Sequence, residues 1–158
     1  MAENKTQPSP GEAGNPLIMP QKIYVKDISF EAPNSPAVFT RDWNPSLSFD
    51  LGQKTTRLSD DLFEVVLSLT VTIKCDDTTA YLVEIHQAGI FMLKDADEER
   101  SLYMLNVYCP HMLYPYACSA AAEVVTRGGF PQLFLTPVNF EAVYHKRKAG
   151  NGDSDNNG

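Results

Sequence analysis

The chain has 158 residues, 43% of them hydrophobic and 21% charged, with 13 Lys and Arg against 20 Asp and Glu. That length suits one domain and that apolar share suits a real core, which excludes a disordered chain and a membrane protein by composition. The net charge of −7 argues against a nucleic-acid binder, which needs clustered Lys and Arg, and three cysteines without CxxC spacing argue against a disulfide framework.

Residues 1–20 hold Pro8, Pro10, Pro16 and Pro20 and no long apolar run, so a disordered extension without a signal peptide is expected there. A cytoplasmic, reducing location follows as the default. The first strand is expected at 22–31, with Tyr24, Ile28 and Phe30 on one side and Asp27, Ser29 and Glu31 on the other. A short strand at 47–51 sets Leu47, Phe49 and Leu51 opposite Ser48 and Asp50. Positions 63–73 alternate cleanly, with Phe63, Val65, Leu67, Leu69, Val71 and Ile73 on one face. Cys75-Asp76-Asp77-Thr78 reads as a polar hairpin into a strand over 79–87, where Leu82, Glu84 and His86 share a face. Four strands joined this way predict an antiparallel sheet with one apolar and one polar face.

The period then changes. Asp97-Glu98-Glu99 suits a helix N-terminus, and Ser101–Tyr108 follows as helix. Pro110 opens a second helix that runs through Pro115 to Arg127 and stops at Gly128-Gly129. Thr136-Pro137 caps a last helix over 137–148, and 149–158 reads as a disordered polar tail. The folded domain is therefore expected at 21–148. Residues 22–145 hold 9 basic and 16 acidic groups, so the negative charge sits on the folded body.

Between Ser101 and Val125 the single charged side chain is Glu123. Asn106, Pro110, His111, Pro115 and Ser119 interrupt the apolar run, which excludes a membrane span. A helix apolar around most of its circumference must be covered on more than one side. An oligomer is expected, with Met112, Tyr116, Ala120 and Val124 at the contact.

No P-loop, GxGxxG, HExxH or GxSxG motif is present. Cys109 and His111 suggest a nucleophile with its base, or metal ligands, with Cys118, His86 and His145 as partners. Against that stands the reading of Cys109 and Cys118 as small hydrophobes in an apolar helix. Asp27, Glu31 and Glu84 are either plain solvated side chains, an acid–base pair or an acidic docking patch. Phe30, Phe39, Trp43 and Phe49, and Phe130, Phe134, Phe140 and Tyr144, lie in Pro-rich stretches. They either fold onto the sheet edges or line an exposed apolar groove.

The run Ile23-Tyr24-Val25-Lys26-Asp27-Ile28-Ser29-Phe30-Glu31-Ala32-Pro33-Asn34 resembles the N-terminal signature of the SecB family of bacterial protein-export chaperones. So do Tyr108-Cys109-Pro110, Leu113-Tyr114-Pro115-Tyr116-Ala117, Arg127-Gly128-Gly129-Phe130-Pro131-Gln132-Leu133 and Pro137-Val138-Asn139-Phe140. The resemblance covers residues 23–144. It implies an α+β fold, a four-stranded antiparallel sheet with helices on one face, assembled as a tetramer that is a dimer of dimers. It further implies a holdase that keeps unfolded precursor chains export-competent without ATP and delivers them to the motor ATPase SecA. No enzyme activity, cofactor, bound metal, nucleic acid or membrane insertion belongs to that picture, and any zinc belongs to the basic tail of SecA.

Carried onto matching positions, the resemblance implies precursor binding by Phe39, Trp43, Phe49, Leu51, Ile90, Leu133, Phe140 and Tyr144. SecA docking falls on Asp27, Glu31, Leu82 and Glu84. Ala88 departs from the glycine usual in relatives, and neither end of the chain matches a shared motif. The rival reading is a small-molecule-binding or hydrolytic α+β domain that uses Cys109 and His111.

Overall fold

Alternating apolar and polar side chains carry the first half of the chain into four strands. In the computed structural model, which describes residues 17–152, these are β1 (Leu17–Glu31), β2 (Pro45–Ser59), β3 (Leu62–Cys75) and β4 (Thr78–Lys94). They form one antiparallel sheet in the order β1-β4-β3-β2. All four run longer than the alternation alone indicated. The far half of β2, Gly52–Ser59, is mostly polar, with Leu58 half exposed, so the apolar alternation of Leu47, Phe49 and Leu51 does not continue into it. Residues 17–20, expected in the disordered extension, are the start of β1. The rest of that extension and residues 153–158 lie outside the described residues.

β1 departs from strict alternation. Its pairing with β4 shifts between Pro20 and Lys22 and again between Val25 and Asp27. A bulge inserts one residue and exchanges the two faces of the strand on either side of it. Tyr24 therefore lies on the polar side with Asp27, Ser29 and Glu31, where strict alternation had set it with Ile28 and Phe30. Its hydroxyl donates to the carboxylate of Glu64 on β3, and Lys26 Nζ lies 2.8 Å from the same carboxylate. The Lys26 and Tyr24 hydrogen bonds hold Glu64 below the usual carboxylate range, while burial and the Glu64 charge push the Tyr24 hydroxyl up to about 12.

Between β3 and β4 the chain turns on Asp76 and Asp77. Asp76 takes a φ of 55°, a left-handed conformation that its short polar side chain tolerates. Between β1 and β2 a crossover segment, 32–44, contains a short 3₁₀ turn at Ala37–Thr40, and there Val38 is buried.

α1 (Glu98–Tyr103) starts at Asp97, whose carboxylate accepts the Arg100 backbone N–H at 2.8 Å. The expected break before Pro110 does not occur. A π-helical turn at Met104–Tyr108 leads straight into α2 (Cys109–Arg127). Pro110 has no N–H, and its ring would crowd the carbonyl of Asn106 four residues back. The wider turn that contains Asn106 relieves this. α3 (Phe140–Gly152) begins three residues later than expected and runs past position 148, through residues expected in the tail. Asn139 serves as its cap by accepting the Ala142 N–H at 3.0 Å. The carbonyl of Thr136, the expected cap residue, is taken instead by the Tyr114 hydroxyl of α2 at 2.7 Å.

The helices pack on one face of the sheet, as an α+β fold. Leu113, Ala117, Ala121 and Val125 recur every fourth residue of α2 and are fully buried. Ala117, Ala121 and Val125 meet Leu69, Val71, Val83 and Ile85, and Leu113 meets Val65, Leu67 and Phe91.

Candidate functional site

The uncovered face of the sheet carries the acids. In register, Asp27 stands opposite His86, Ser29 opposite Glu84 and Glu31 opposite Leu82. Asp27, Glu31, Leu82 and Glu84, expected to act together, therefore occupy adjacent positions on one face. Asp27 and Glu31 are exposed, and Leu82 and Glu84 half-buried. His86 Nε2 donates to Glu84 Oε1 at 2.6 Å. The alternation had placed His86 beside Glu84 and assigned it no role in docking. It sits between two of the acids.

The covered side carries the aromatics. Phe130 is buried, and the rings of Tyr81, Phe39, Trp43 and Phe30 surround it at centroid distances of 4.9, 5.0, 5.9 and 6.4 Å. Phe39 is 49% exposed and Trp43 37%, so they form a wall whose base is the core. Leu133 and Leu51 pack against that same core.

From there the segment 133–141 overlies a line of open clefts. The first, about 250 Å³, is lined by Leu47, Phe49, Tyr114, Phe134, Leu135 and Thr136. Tyr114 and Leu135 also line the second, about 390 Å³, with Pro115, Cys118 and Pro137. His111 and Val138 are shared with the third, about 400 Å³, beside Tyr103, Val107 and Phe140. The shared lining makes one apolar trough from β2 to the start of α3. Phe134, which the sequence placed among the aromatics but outside the candidate set, is 79% exposed beside it.

Three expected groove residues are placed differently from the exposed rings. Phe140 is 4% exposed, packed edge-on against Tyr114, and offers the trough a floor rather than a free ring. Ile90 stands opposite Lys22 and Glu64, on the uncovered face, away from the other seven. A face cannot be read across the 85–93 stretch, because Ala88 and Gly89 interrupt its alternation. Tyr144 is half-buried against Tyr103 at 6.1 Å, beyond the residues that line the trough.

On α2, Tyr116 is 53% exposed, while Met112, Ala120 and Val124 are half-buried beside the stripe that meets the sheet. Val25 and Ile28 of β1, on the same side of the sheet, are each 44% exposed. The exposed apolar surface on this side is thus larger than the helix alone indicated.

The nucleophile reading of Cys109 fails on geometry. The residue is fully buried, and burial pushes its thiol up to about 12, opposite to the lowered value and exposure of a reactive cysteine. Among the described residues no three His, Cys, Asp or Glu side chains gather to hold a metal ion. Nor is any helix among them long and apolar enough to cross a membrane.

Known proteins supply the family. The family model described as preprotein translocase subunit SecB matches residues 11–151. The protein-export protein SecB of Methylococcus capsulatus is 53% identical over 124 residues, 78% of this chain and 80% of that one. The protein of the same name from Nitrosococcus oceani is 49% identical over 151 residues, 94% and 92% of the two chains. Among solved structures, the SecB-like chaperone of Mycobacterium tuberculosis, in complex with a ChAD peptide from an antitoxin, superposes with a TM-score of 0.58 at 20% identity, covering 77% of this chain and 90% of that one. That likeness shows the shared fold. With nearly its whole length matched and relatives identical at every second residue, this chain belongs to the SecB family of protein-export chaperones.

Proposed function

We propose that the protein is an ATP-independent holdase that binds unfolded precursor chains in its apolar trough and aromatic wall and delivers them to SecA through the acidic sheet face. The carrying observation is that the two surfaces lie on opposite sides of one sheet, so that one partner does not obstruct the other. Phe39, Trp43, Phe49 and Leu51, with Phe134 beside the trough, supply the precursor contacts. Apolar contact asks for no particular sequence, at about 25 cal/mol per Å² buried before ordering costs. A chaperone that binds the unfolded chain alone draws the folding equilibrium toward it without fuel. That the mycobacterial SecB-like chaperone forms a complex with a peptide supports the reading of a polypeptide chain as client.

Asp27, Glu31 and Glu84, with Leu82 among them, suit the basic tail of SecA. That attraction weakens as salt rises. The partly exposed stripe of α2, together with Val25 and Ile28, supports self-association, and the assembly in this reading is a cytoplasmic homotetramer built as a dimer of dimers. Several clefts per assembly let one long chain bind at several points, with avidity above any single contact.

The test is aggregation suppression. A refolding, aggregation-prone precursor is mixed with near-stoichiometric tetramer in the absence of ATP. Full suppression is expected, and aggregation at the rate of the precursor alone would refute the holdase reading.

A further inference from the structure

The crossover segment 32–44 carries the aromatic wall yet buries little of its own. Its place is set by the hairpin that joins β3 to β4. Asn34 Nδ2 donates to the Thr79 carbonyl at 2.8 Å, and Arg41 Nη1 to Thr78 Oγ1 at 2.6 Å. At the root of the hairpin the fully buried Cys75 donates its thiol to the Asp42 carbonyl at 3.0 Å and accepts the Asn44 N–H at 3.5 Å. One sulfur thus bonds the backbone on both sides of Trp43. A thiol is a weak donor and a weak acceptor, and here it uses both capacities in a site closed to water.

We propose that Cys75 is a positioning residue for the precursor-binding surface: with Thr78 and Thr79 it clamps the crossover segment and fixes Trp43 on Phe130. This inference rests on the reading of Phe39 and Trp43 as precursor contacts. An aromatic side chain held in its binding pose loses less freedom when a client arrives, so the clamp acts on affinity through preorganisation.

Trp43 is the single tryptophan of the chain, and its fluorescence reports on the clamp directly. The probes are iodide quenching of Trp43 and the affinity for reduced, carboxamidomethylated α-lactalbumin, a permanently unfolded chain. Cys75→Val keeps the shape and removes both hydrogen bonds. It is expected to raise the quenching constant at least twofold and weaken client affinity three- to tenfold. Cys75→Ser keeps a donor and an acceptor and is expected to restore both toward the original values. Should Cys75→Val fail to fold, Arg41→Ala together with Asn34→Ala loosens the same segment from its exposed side and is read by the same two measurements.

Unchanged quenching in the loosened variants overturns the clamp. Raised quenching with unchanged affinity also overturns it, provided that Trp43→Ala weakens client binding. If Trp43→Ala leaves client binding intact, the precursor surface itself has been misassigned, and the clamp loses its proposed role with it.

Discussion

Two adjacent rows of the sheet divide the molecule. Ser29, Glu84, Thr70 and Asp50 lie side by side across the four strands, and one residue along lie Ile28, Ile85, Leu69 and Leu51. The first row is polar from edge to edge and faces outward. The second is apolar throughout and lies on the helix side, with Ile85 and Leu69 fully buried and Ile28 left 44% exposed at the edge. A single-residue step, which reverses the direction of every side chain in a strand, thus separates a polar outer face from a packed core. The lesson is that the sheet works as a partition, and damage to one side should leave the other readable.

The largest break is expected on the covered side. Phe130→Ala removes the ring at the base of the aromatic wall and should cost about 3–5 kcal/mol of stability, measured by denaturant unfolding. Precursor holding should fall with it. Glu84→Lys reverses charge on the outer face and should weaken SecA binding more than tenfold, above about 1.4 kcal/mol by calorimetry, with precursor holding unchanged. Unchanged SecA affinity would remove Glu84 from the docking surface. Phe134→Ala truncates an exposed ring and should alter stability by no more than about 0.5 kcal/mol. A several-fold loss of precursor affinity in that variant would separate binding from folding on the same side of the sheet.

A further break on the outer face concerns Glu64, which ties β1 to β3 through Tyr24 and Lys26. Its folded carboxyl titrates below the usual range because Lys26 and Tyr24 hydrogen-bond the charged form. The stabilisation is therefore present above about pH 4.5, the ordinary value, and is lost as pH falls through the lowered folded value. Glu64→Gln should cost about 1–2 kcal/mol at pH 7. Acid titration of stability should then lack the step that the unaltered protein shows below pH 4.5.

Where the signal was periodic, the fold was legible. The run 63–73 buries one set of side chains against one surface, and that burial writes itself into the residue order. The bulge at Val25–Asp27 was not legible, because one inserted residue leaves the composition of β1 unchanged while moving Tyr24 to the other face. The continuity of the helix through Pro110 was hidden for a related reason. A proline signals a missing N–H but not whether a widened turn absorbs it. The three acids came together because Asp27 and Glu31 lie on the regular stretch of β1 after the bulge, paired to the stretch of β4 that holds Glu84. The groove set was less coherent. Loop positions such as Phe39 and Trp43 are placed by a buried thiol and two side-chain hydrogen bonds, contacts between residues 31 to 45 apart that no local pattern records.

Simultaneous binding tests the partition most directly. The protein, saturated with reduced, carboxamidomethylated α-lactalbumin, is titrated calorimetrically with the isolated basic tail of SecA. The account predicts an affinity within about twofold of that of the empty protein, because the two partners sit on opposite faces. Displacement of the unfolded chain by the tail, or loss of tail binding in the loaded protein, would contradict it.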